Sequence, residues 1–477
     1  MKTKKIYKTP DNYYFRLHHI RPRFKNDIER ILLMVSSAVA EMPIQQKEQF
    51  DKSLNKIIKG FPGNVVRTDK TINNWRTEIS ALFSLILYNL DNETEGPSEI
   101  AKRMAKNQDL VEFFKLFCYS FQYPGGHLKS QETKKLIERG IKFKPAHYIL
   151  KLLYQANKGV ETPFGINKAE VTHCIFNDTR VTVENKDVKE TIDLIKSNRE
   201  QGFDYDWKGD VIRYAGDIMD YLYYANLLKK HGANYYLNPV EMGAIITFVE
   251  KDPWFNLYDK FYGKSVTNEE LREAQNKWFY YVSNLSVKAN FETDVLAFMG
   301  IDKNNYLEIE KKATAIAITE FKNKITDKIL KTKEIGDAGE NLAIGHECMR
   351  LKNGGREDLI GKVVYLPNYL KMGYDIRSFE LDSDLRLIEV KTTISNTDID
   401  FKSFHMTENE WNIASSMGEK YYVYRMVISR SSVKLFIIRN PVNKYKSGIL
   451  DVTLSNGAQV NFDKRAGKYE KILIWQK

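Results

Sequence analysis

The sequence predicts a chain of two unlike parts: a mainly helical amino-terminal region and a carboxy-terminal α/β domain with a central mixed sheet. Three observations lead there. Apolar residues recur at helical spacing from Asp27 to about Phe321. Strand-like runs dominate from about Gly361 onward. At 477 residues the chain also exceeds the size at which one hydrophobic core usually keeps growing. The charged stretch "ITEFKNKITDKILKTKEIGDAGE" separates the two patterns and puts a boundary near Lys324 to Glu334. The expected organisation is a helical subdomain over residues 1–140, a second over 141–325 and the α/β domain over 326–477.

Along the chain, "NDIERILLMVSSAVAEM" and "INNWRTEISALFSLILYNL" place apolar residues at i, i+3 and i+4 and read as helices. The first turn of "DKTINNWRTEIS" carries Thr71, Asn73, Asn74 and Arg76. Asn and Arg can address base edges in a major groove, although an ordinary polar helix start accounts for the same residues. "KPAHYILKLLYQANKGVETPFGINKAEVTHCIFND" reads as helix, turn, helix. Pro145 starts the first helix, Gly159 and Gly165 break the chain, and Asn167 caps a second helix that begins with Lys168 and ends near Phe176. A further helix is expected from about Asp210 to Lys230, with Gly232 as its stop and a short strand from Tyr235 to Leu237. That order is the order of a winged-helix module, which serves either DNA or protein partners. The candidate DNA contacts are Asn73, Asn74, Arg76 and Lys168.

Composition narrows the class. Hydrophobic residues at 43% and aromatics at 12% suffice for packed cores and exclude wholesale disorder. The net charge of +11 agrees with a polyanionic partner without requiring one. Cys118, Cys174 and Cys348 lie far apart with no C-x-x-C, so neither a disulfide framework nor a zinc site is indicated. "MKTKKIYKTPDNYYFRLHHIRPRFK" lacks the apolar stretch of a secretory signal, and no run of about 18 apolar residues occurs. A cytoplasmic protein without membrane association is expected. His18 and His19 in that basic run read as a solvated arm or as a phosphate contact.

The α/β part is announced by "KVVYLP", "YDIRSFEL", "LRLIEVKTT", "KYYVYRMVIS" and "VKLFIIRN". In the third run Leu387, Glu389 and Lys391 share one face, and Ile388 and Val390 the other. Alone, this could be a half-buried strand with a solvated ion pair. The preceding run is joined to it by "LDSD", a short turn. A turn centred near Ser383 sets Asp375 opposite Lys391 and Arg377 opposite Glu389, so that Asp375, Glu389 and Lys391 converge at one hairpin end. Two carboxylates suit a hard divalent cation, and a lysine beside them can orient or deprotonate water or offset charge on a phosphodiester.

This constellation resembles the PD-(D/E)XK nuclease superfamily, with Tyr374 standing where proline is usual. The closer likeness is to the Mrr-like domains at the carboxyl end of NO VEIN-type proteins. Their ordered pattern is a G-x-x-G-E helix, G-Y/F-D-h-x-S, h-E-V-K-T and F-x-h-T-x-N-E-h before a closing strand. The chain reads "GDAGENLAIGHECMRL", "GYDIRS", "IEVKTT" and "FKSFHMTENEWNIASSMGEKYYVYRMV" in that order, over about Ile335 to Asn440. The resemblance implies a restriction-endonuclease-like α/β fold. It also implies Asp375 and Glu389 as ligands of Mg²⁺ (Mn²⁺ as a substitute) and Lys391 as the catalytic lysine aiding water activation. Glu340 matches the family's helix carboxylate and would bind metal or orient its water; a capping or solvated glutamate is the plain alternative. Asp337 suits a helix-start charge, Thr407 and Glu410 form a structural capping box, and Trp411 reads as core.

The amino-terminal run "FQYPGGHLK" and the helical segments after it resemble the recognition region of type IIS restriction and nicking endonucleases. Together the resemblances imply a type II site-specific deoxyribonuclease acting on double-stranded DNA, a homodimer on its substrate, and a cognate DNA methyltransferase in a restriction–modification pair. Two other readings stay open. One is a modification- or structure-dependent defence or repair nuclease; the other is a non-catalytic winged-helix DNA-binding regulator. Gly263-Lys264-Ser265 lacks the glycine a phosphate loop needs, since Tyr258 occupies that place.

Overall fold

The computed structural model describes residues 5–22, 27–60, 68–300, 308, 311–313, 315–317, 319, 338–366, 372–454 and 457–475. The chain divides into two compact units, Met1–Lys106 with Leu110–Phe291, and Asn107–Asp109 with Glu292–Lys477. The divide expected at 140/141 therefore falls inside the first unit. The one expected at 325/326, the Lys324–Glu334 boundary and Asp337 lie outside the described residues. Among the described residues no helix is long and apolar enough to cross a membrane.

The first unit opens with β1 (Ile6–Tyr7) and then α1 (Ile28–Glu41), which buries Ile28, Ile31, Leu32, Val35 and Val39, one stripe at helical spacing. There follow β2 (Gln45–Gln46), α2 (Lys47–Gly60), α3 (Asp69–Thr77), β3 (Ile86–Asn89) and β4 (Thr94–Pro97). Thr68 caps α3, its hydroxyl accepting from the Thr71 N–H at 3.3 Å. Helical structure continues through Glu78–Leu82 and stops there, so the "LILYNL" end expected as helix is instead a strand. Ser84 in the left-handed region (φ 53°) breaks the helix, and a short apolar run gives no periodicity with which to tell the two apart. The three strands form an antiparallel sheet in the order β2–β4–β3.

After α4 (Glu99–Asn107), α5 (Leu110–Ser120) is buried on every side, and the Phe114 and Phe117 rings pack on Tyr221 at 5.9 and 5.1 Å. Next come α6 (Ser130–Glu138), α7 (Pro145–Ala156) and β5 (Ile166–Asn167). α8 (Lys168–Val171) carries on helically to Phe176, and Asn167 and Glu170 form a capping box at its start. α9 (Thr179–Thr182), α10 (Val188–Glu200) and β6 (Asp204–Tyr205) intervene, with β6 paired in parallel to β1. α11 (Tyr214–Tyr224), β7 (Leu228–His231) and β8 (Asn234–Leu237) follow, and β5–β8–β7 is a second three-stranded sheet.

The expected helix from Asp210 to Lys230 is thus shorter. Asn226 (φ 60°) takes the left-handed position, with its N–H on Tyr223 O and the Leu227 N–H on Leu222 O, a Schellman ending that releases the chain into β7. Gly232 turns the β7–β8 hairpin instead of stopping a helix. α12 (Met242–Glu250) and α13 (Asn268–Lys288) complete the unit. His19 is not on a solvated arm: it is buried, with Nδ1 2.8 Å from the Tyr123 hydroxyl and Nε2 3.6 Å from Asp217. His18 stacks on Tyr214 at 4.8 Å.

The second unit contains α14 (Val295–Met299), α15 (Ala338–Asn353), α16 (Glu357–Ile360), β9 (Val364–Tyr365), β10 (Ile376–Phe379), β11 (Leu385–Ile394) and β12 (Ser403–Met406). It continues with α17 (Glu408–Met417), β13 (Tyr421–Ile428), β14 (Val433–Arg439), α18 (Pro441–Lys446), β15 (Asp451–Leu454), β16 (Ala458–Asn461) and β17 (Lys468–Lys471). Six strands make a mixed sheet, β17–β14–β13–β11–β10–β9, in which only β11 and β13 pair in parallel. α15 covers one face, where a Cβ on Gly339 would lie 1.9 Å from Thr392 Oγ1; only glycine permits that approach. The other face buries Leu387, Tyr421, Val423, Phe436 and Ile438 against Phe404 and Met406 of β12, Ala414 of α17 and Val460 of β16. Strand β11 is therefore central and covered on both faces, not half-buried.

Candidate active site

The β10–β11 hairpin is the frame of the site. Its register pairs Ile376 with Ile388 and Arg377 with Leu387, two residues from the pairing expected from the sequence. The turn centres on Asp382: the Ser383 N–H donates to Glu380 O at 3.0 Å, and Ser383 itself takes a left-handed conformation (φ 77°). Asp375 reaches its place by a different route from the regular ladder. Its N–H donates to Ile388 O at 2.9 Å, so Asp375 and Ile376 both meet Ile388, the pattern of a β-bulge. The bulge re-aims the Asp375 side chain across the hairpin, where Oδ2 accepts from the Val390 N–H at 2.8 Å.

Glu389 and Lys391 project from β11 on the face that α17 covers. Lys391 Nζ lies 2.6 Å from Glu389 Oε1 and 2.7 Å from Glu410 Oε2. Asp375 is 7% and Glu389 4% exposed, and Lys391 and Glu410 are half-buried, so the ion pair on this strand is not a solvated one. Burial, then the Asp375 charge, pushes the Glu389 carboxyl well above the ordinary carboxylate range, with Lys391 opposing. Burial pulls the Lys391 ammonium down, but the Glu389, Glu410 and Asp375 carboxylates outweigh it and hold the amine above its usual value. For Glu410 burial acts upward, and Lys391 and Thr407 overcome it, so its carboxyl lies low. Three carboxylates, Asp375 and Glu389 buried and Glu410 half-buried, act on one lysine.

That excess of negative charge fits a hard divalent cation at Asp375 and Glu389, which would relieve the mutual repulsion and leave positions for water and phosphate oxygen. Among the described residues no group of three or more His, Cys, Asp or Glu side chains is arranged to hold a metal ion. Glu340 sits in the first turn of α15, 7% exposed, on the helix that covers the opposite face of the sheet from Glu389 and Lys391. Two residues were missed in the sequence. Glu410 forms its capping box with Thr407 as expected and binds Lys391 as well. Tyr421, on β13, donates its hydroxyl to Gly373 O at 2.8 Å beside the same acids. The ordered T-x-N-E run pointed to Glu410, whereas nothing in the sequence marked Tyr421.

Of the candidate DNA contacts, Asn73 is exposed on α3 and Asn74 is half-buried. Arg76 Nη1 lies 3.2 Å from Asp51, and Lys168 Nζ lies 2.6 Å from Asp220, so both cations are engaged within the first unit.

Residues 7–279 match the family described as restriction endonuclease BpuJI, N terminal. The chain belongs to the BpuJI N-terminal family. Residues 339–438, inside the Ile335–Asn440 span of the ordered motifs, match the family described as protein NO VEIN, C-terminal. This BpuJI family member is 22% identical to the solved BpuJ1 endonuclease binding domain in complex with pyrene- and phenanthrene-modified DNA, covering 57% of this chain and 98% of that one at a TM-score of 0.49. Restriction endonuclease FokI bound to DNA aligns at 10% identity over 82% of this chain and 81% of that one, with a TM-score of 0.23. No curated protein matches the chain. The family matches make this a restriction-endonuclease-like protein.

Proposed function

We propose that the protein is a Mg²⁺-dependent, sequence-specific endodeoxyribonuclease of the type II restriction class, with a DNA-reading first unit and a PD-(D/E)XK cutting site in the second. The carrying observation is the convergence of Asp375, Glu389 and Lys391 in one buried cluster on a central hairpin. Asp375 and Glu389 would hold the cation. Bound there, it would acidify water and offset charge on the scissile phosphate. Lys391, kept as an ammonium by its carboxylate neighbours, supplies a fixed positive charge and hydrogen-bond donors for the attacking water or the phosphate; it orients water rather than taking its proton. Asp375 stays fixed through the Val390 N–H.

The first unit supports the DNA-reading half. Helix, strand, helix, helix and a strand pair occur in order from α1 to β4, and the sheet order β2–β4–β3 sets the first strand beside the last. With α9, α10 and β6 inserted after α8, the elements α7, β5, α8, α11, β7 and β8 follow the same plan with the sheet order β5–β8–β7. We read both as winged-helix modules. α3 offers exposed Asn73 and Thr77 for base edges, and β7 offers exposed Lys229, Lys230 and His231 for phosphates. Among the described residues one such cluster occurs per chain, so cleaving both strands takes two copies on the duplex or two successive cuts.

Incubation of plasmid and genomic DNA with the wild type, Asp375→Ala and Lys391→Ala proteins in Mg²⁺ tests this. The wild type should cut at defined positions, read by sequencing the ends, and both variants should lose activity by about 10³-fold or more, or roughly 4 kcal/mol of barrier. Equal cutting by all three would remove the assignment. Cutting confined to methylated DNA would favour a modification-dependent nuclease.

A further inference from the structure

We propose that Glu410 is the positioning residue for Lys391, its carboxylate acting as the fixed anchor that keeps the ammonium at the cutting site. The proposal rests on the nuclease reading above and extends it to a residue outside the Asp375, Glu389 and Lys391 set.

Lysine is a flexible chain ending in a point charge, so a catalytic role requires something rigid to hold its tip. Two acceptors touch Lys391 Nζ, Glu389 at 2.6 Å and Glu410 at 2.7 Å. Glu389 is the weaker anchor once it holds a cation, because the metal draws on the charge of the same carboxylate and sets a second positive group beside the ammonium. Glu410 has no such conflict. It is the third residue of α17, and the oxygen that receives Lys391, Oε2, also accepts the Thr407 N–H at 3.1 Å. Thr407 Oγ1 accepts the Glu410 N–H at 3.3 Å in return. The bond that sets the Glu410 side-chain direction comes from the Thr407 backbone N–H, which the helix start supplies whatever side chain stands at 407.

Helix α17 is seated in turn on the loop that delivers Asp375. Gly373 has a positive φ of 73°, and a Cβ there would stand 2.7 Å from Ile413 Cγ1 and 3.2 Å from Asn409 O. The Tyr421 hydroxyl holds the Gly373 carbonyl from β13. The anchor of the lysine and the bulge carrying Asp375 are therefore parts of one packed body. On the neighbouring strand β13, Arg425, the register partner of Lys391, donates from Nη1 to Lys391 O at 2.9 Å and fixes the strand from which the lysine rises.

The experiment uses the full-length protein and its Glu410→Gln and Thr407→Ala variants. It measures single-turnover cleavage in Mg²⁺ at saturating DNA, DNA affinity in Ca²⁺, and the thermal midpoint. Glutamine keeps the length and an acceptor for the cap but loses the charge that grips Lys391. The expected result is a cleavage rate at least tenfold lower for Glu410→Gln, with affinity within twofold and an unchanged midpoint. Thr407→Ala should instead lower the midpoint and spare most of the rate. The proposal is overturned if Glu410→Gln cuts within twofold of the wild type. It is equally overturned if rate and midpoint fall together in both variants, which would make Glu410 a cap and nothing more. A wild type that fails to cut in Mg²⁺ or Mn²⁺ defeats the nuclease reading itself and takes the positioning role with it.

Discussion

The two faces of strand β11 each carry a buried cluster of charges, and the clusters differ in balance. Toward α15, Arg386 donates to the Tyr424 hydroxyl at 2.6 Å and lies 3.1 Å from Glu380, while Arg350 meets Glu347 at 2.7 Å. Two guanidiniums answer two carboxylates, and the fully buried Glu347 is held down at about 2: burial acts upward, and Arg386, Arg350 and Tyr424 overcome it. Toward α17, three carboxylates crowd one lysine, and Glu389 is driven up. Each face buries a carboxylate, Glu347 on one and Glu389 on the other, so burial alone does not mark a site. A closed charge balance locks helix to sheet, and an open one leaves room for a further positive group.

Breaking the closed cluster should cost the most stability. Glu347→Ala strands Arg350 and Arg386 in the interior, and a loss of about 3–5 kcal/mol is expected in chemical denaturation. Asp375→Ala, on the open face, should lose cleavage with no comparable loss of stability. Similar destabilisation by both would erase the distinction between the faces.

Acid sharpens it next. The Glu347 carboxyl has an ordinary value of 4.5 and a folded value of about 2, so folding favours its ionised form. That contribution, about 3 kcal/mol, is fully present above the unfolded value and is lost as pH falls from 4.5 toward 2. Denaturation midpoints should fall steeply over that window in the wild type and less steeply in Glu347→Gln.

A smaller effect separates the faces by ligand. Mg²⁺ at a hundred times its dissociation constant should stabilise the wild type by about 2.7 kcal/mol and leave Asp375→Ala unmoved. An equal rise in both proteins would place the cation elsewhere.

Local rules reached far into this molecule. Strand-like runs located five strands of the six-stranded sheet and left β17 unmarked, and Asn167 and Thr407 capped the helices where the sequence put them. The hairpin brought Asp375, Glu389 and Lys391 together even though its register was two residues from expectation, because one short turn joins both strands. The misread ends share a cause. Ser84 and Asn226 turn the chain in a left-handed conformation without glycine, and no spacing announces that.

By itself, then, the sequence determined which residues lie on one strand, which start a helix and which three charged groups sit on one hairpin, since those follow from neighbours a few positions apart. Tertiary structure alone decided that Glu410 grips Lys391, that Arg76 answers Asp51 instead of standing free, and that the two faces of β11 differ in charge balance. Such pairings depend on which separately formed elements pack together. The desolvation that gives each buried charge its meaning exists only once they have done so.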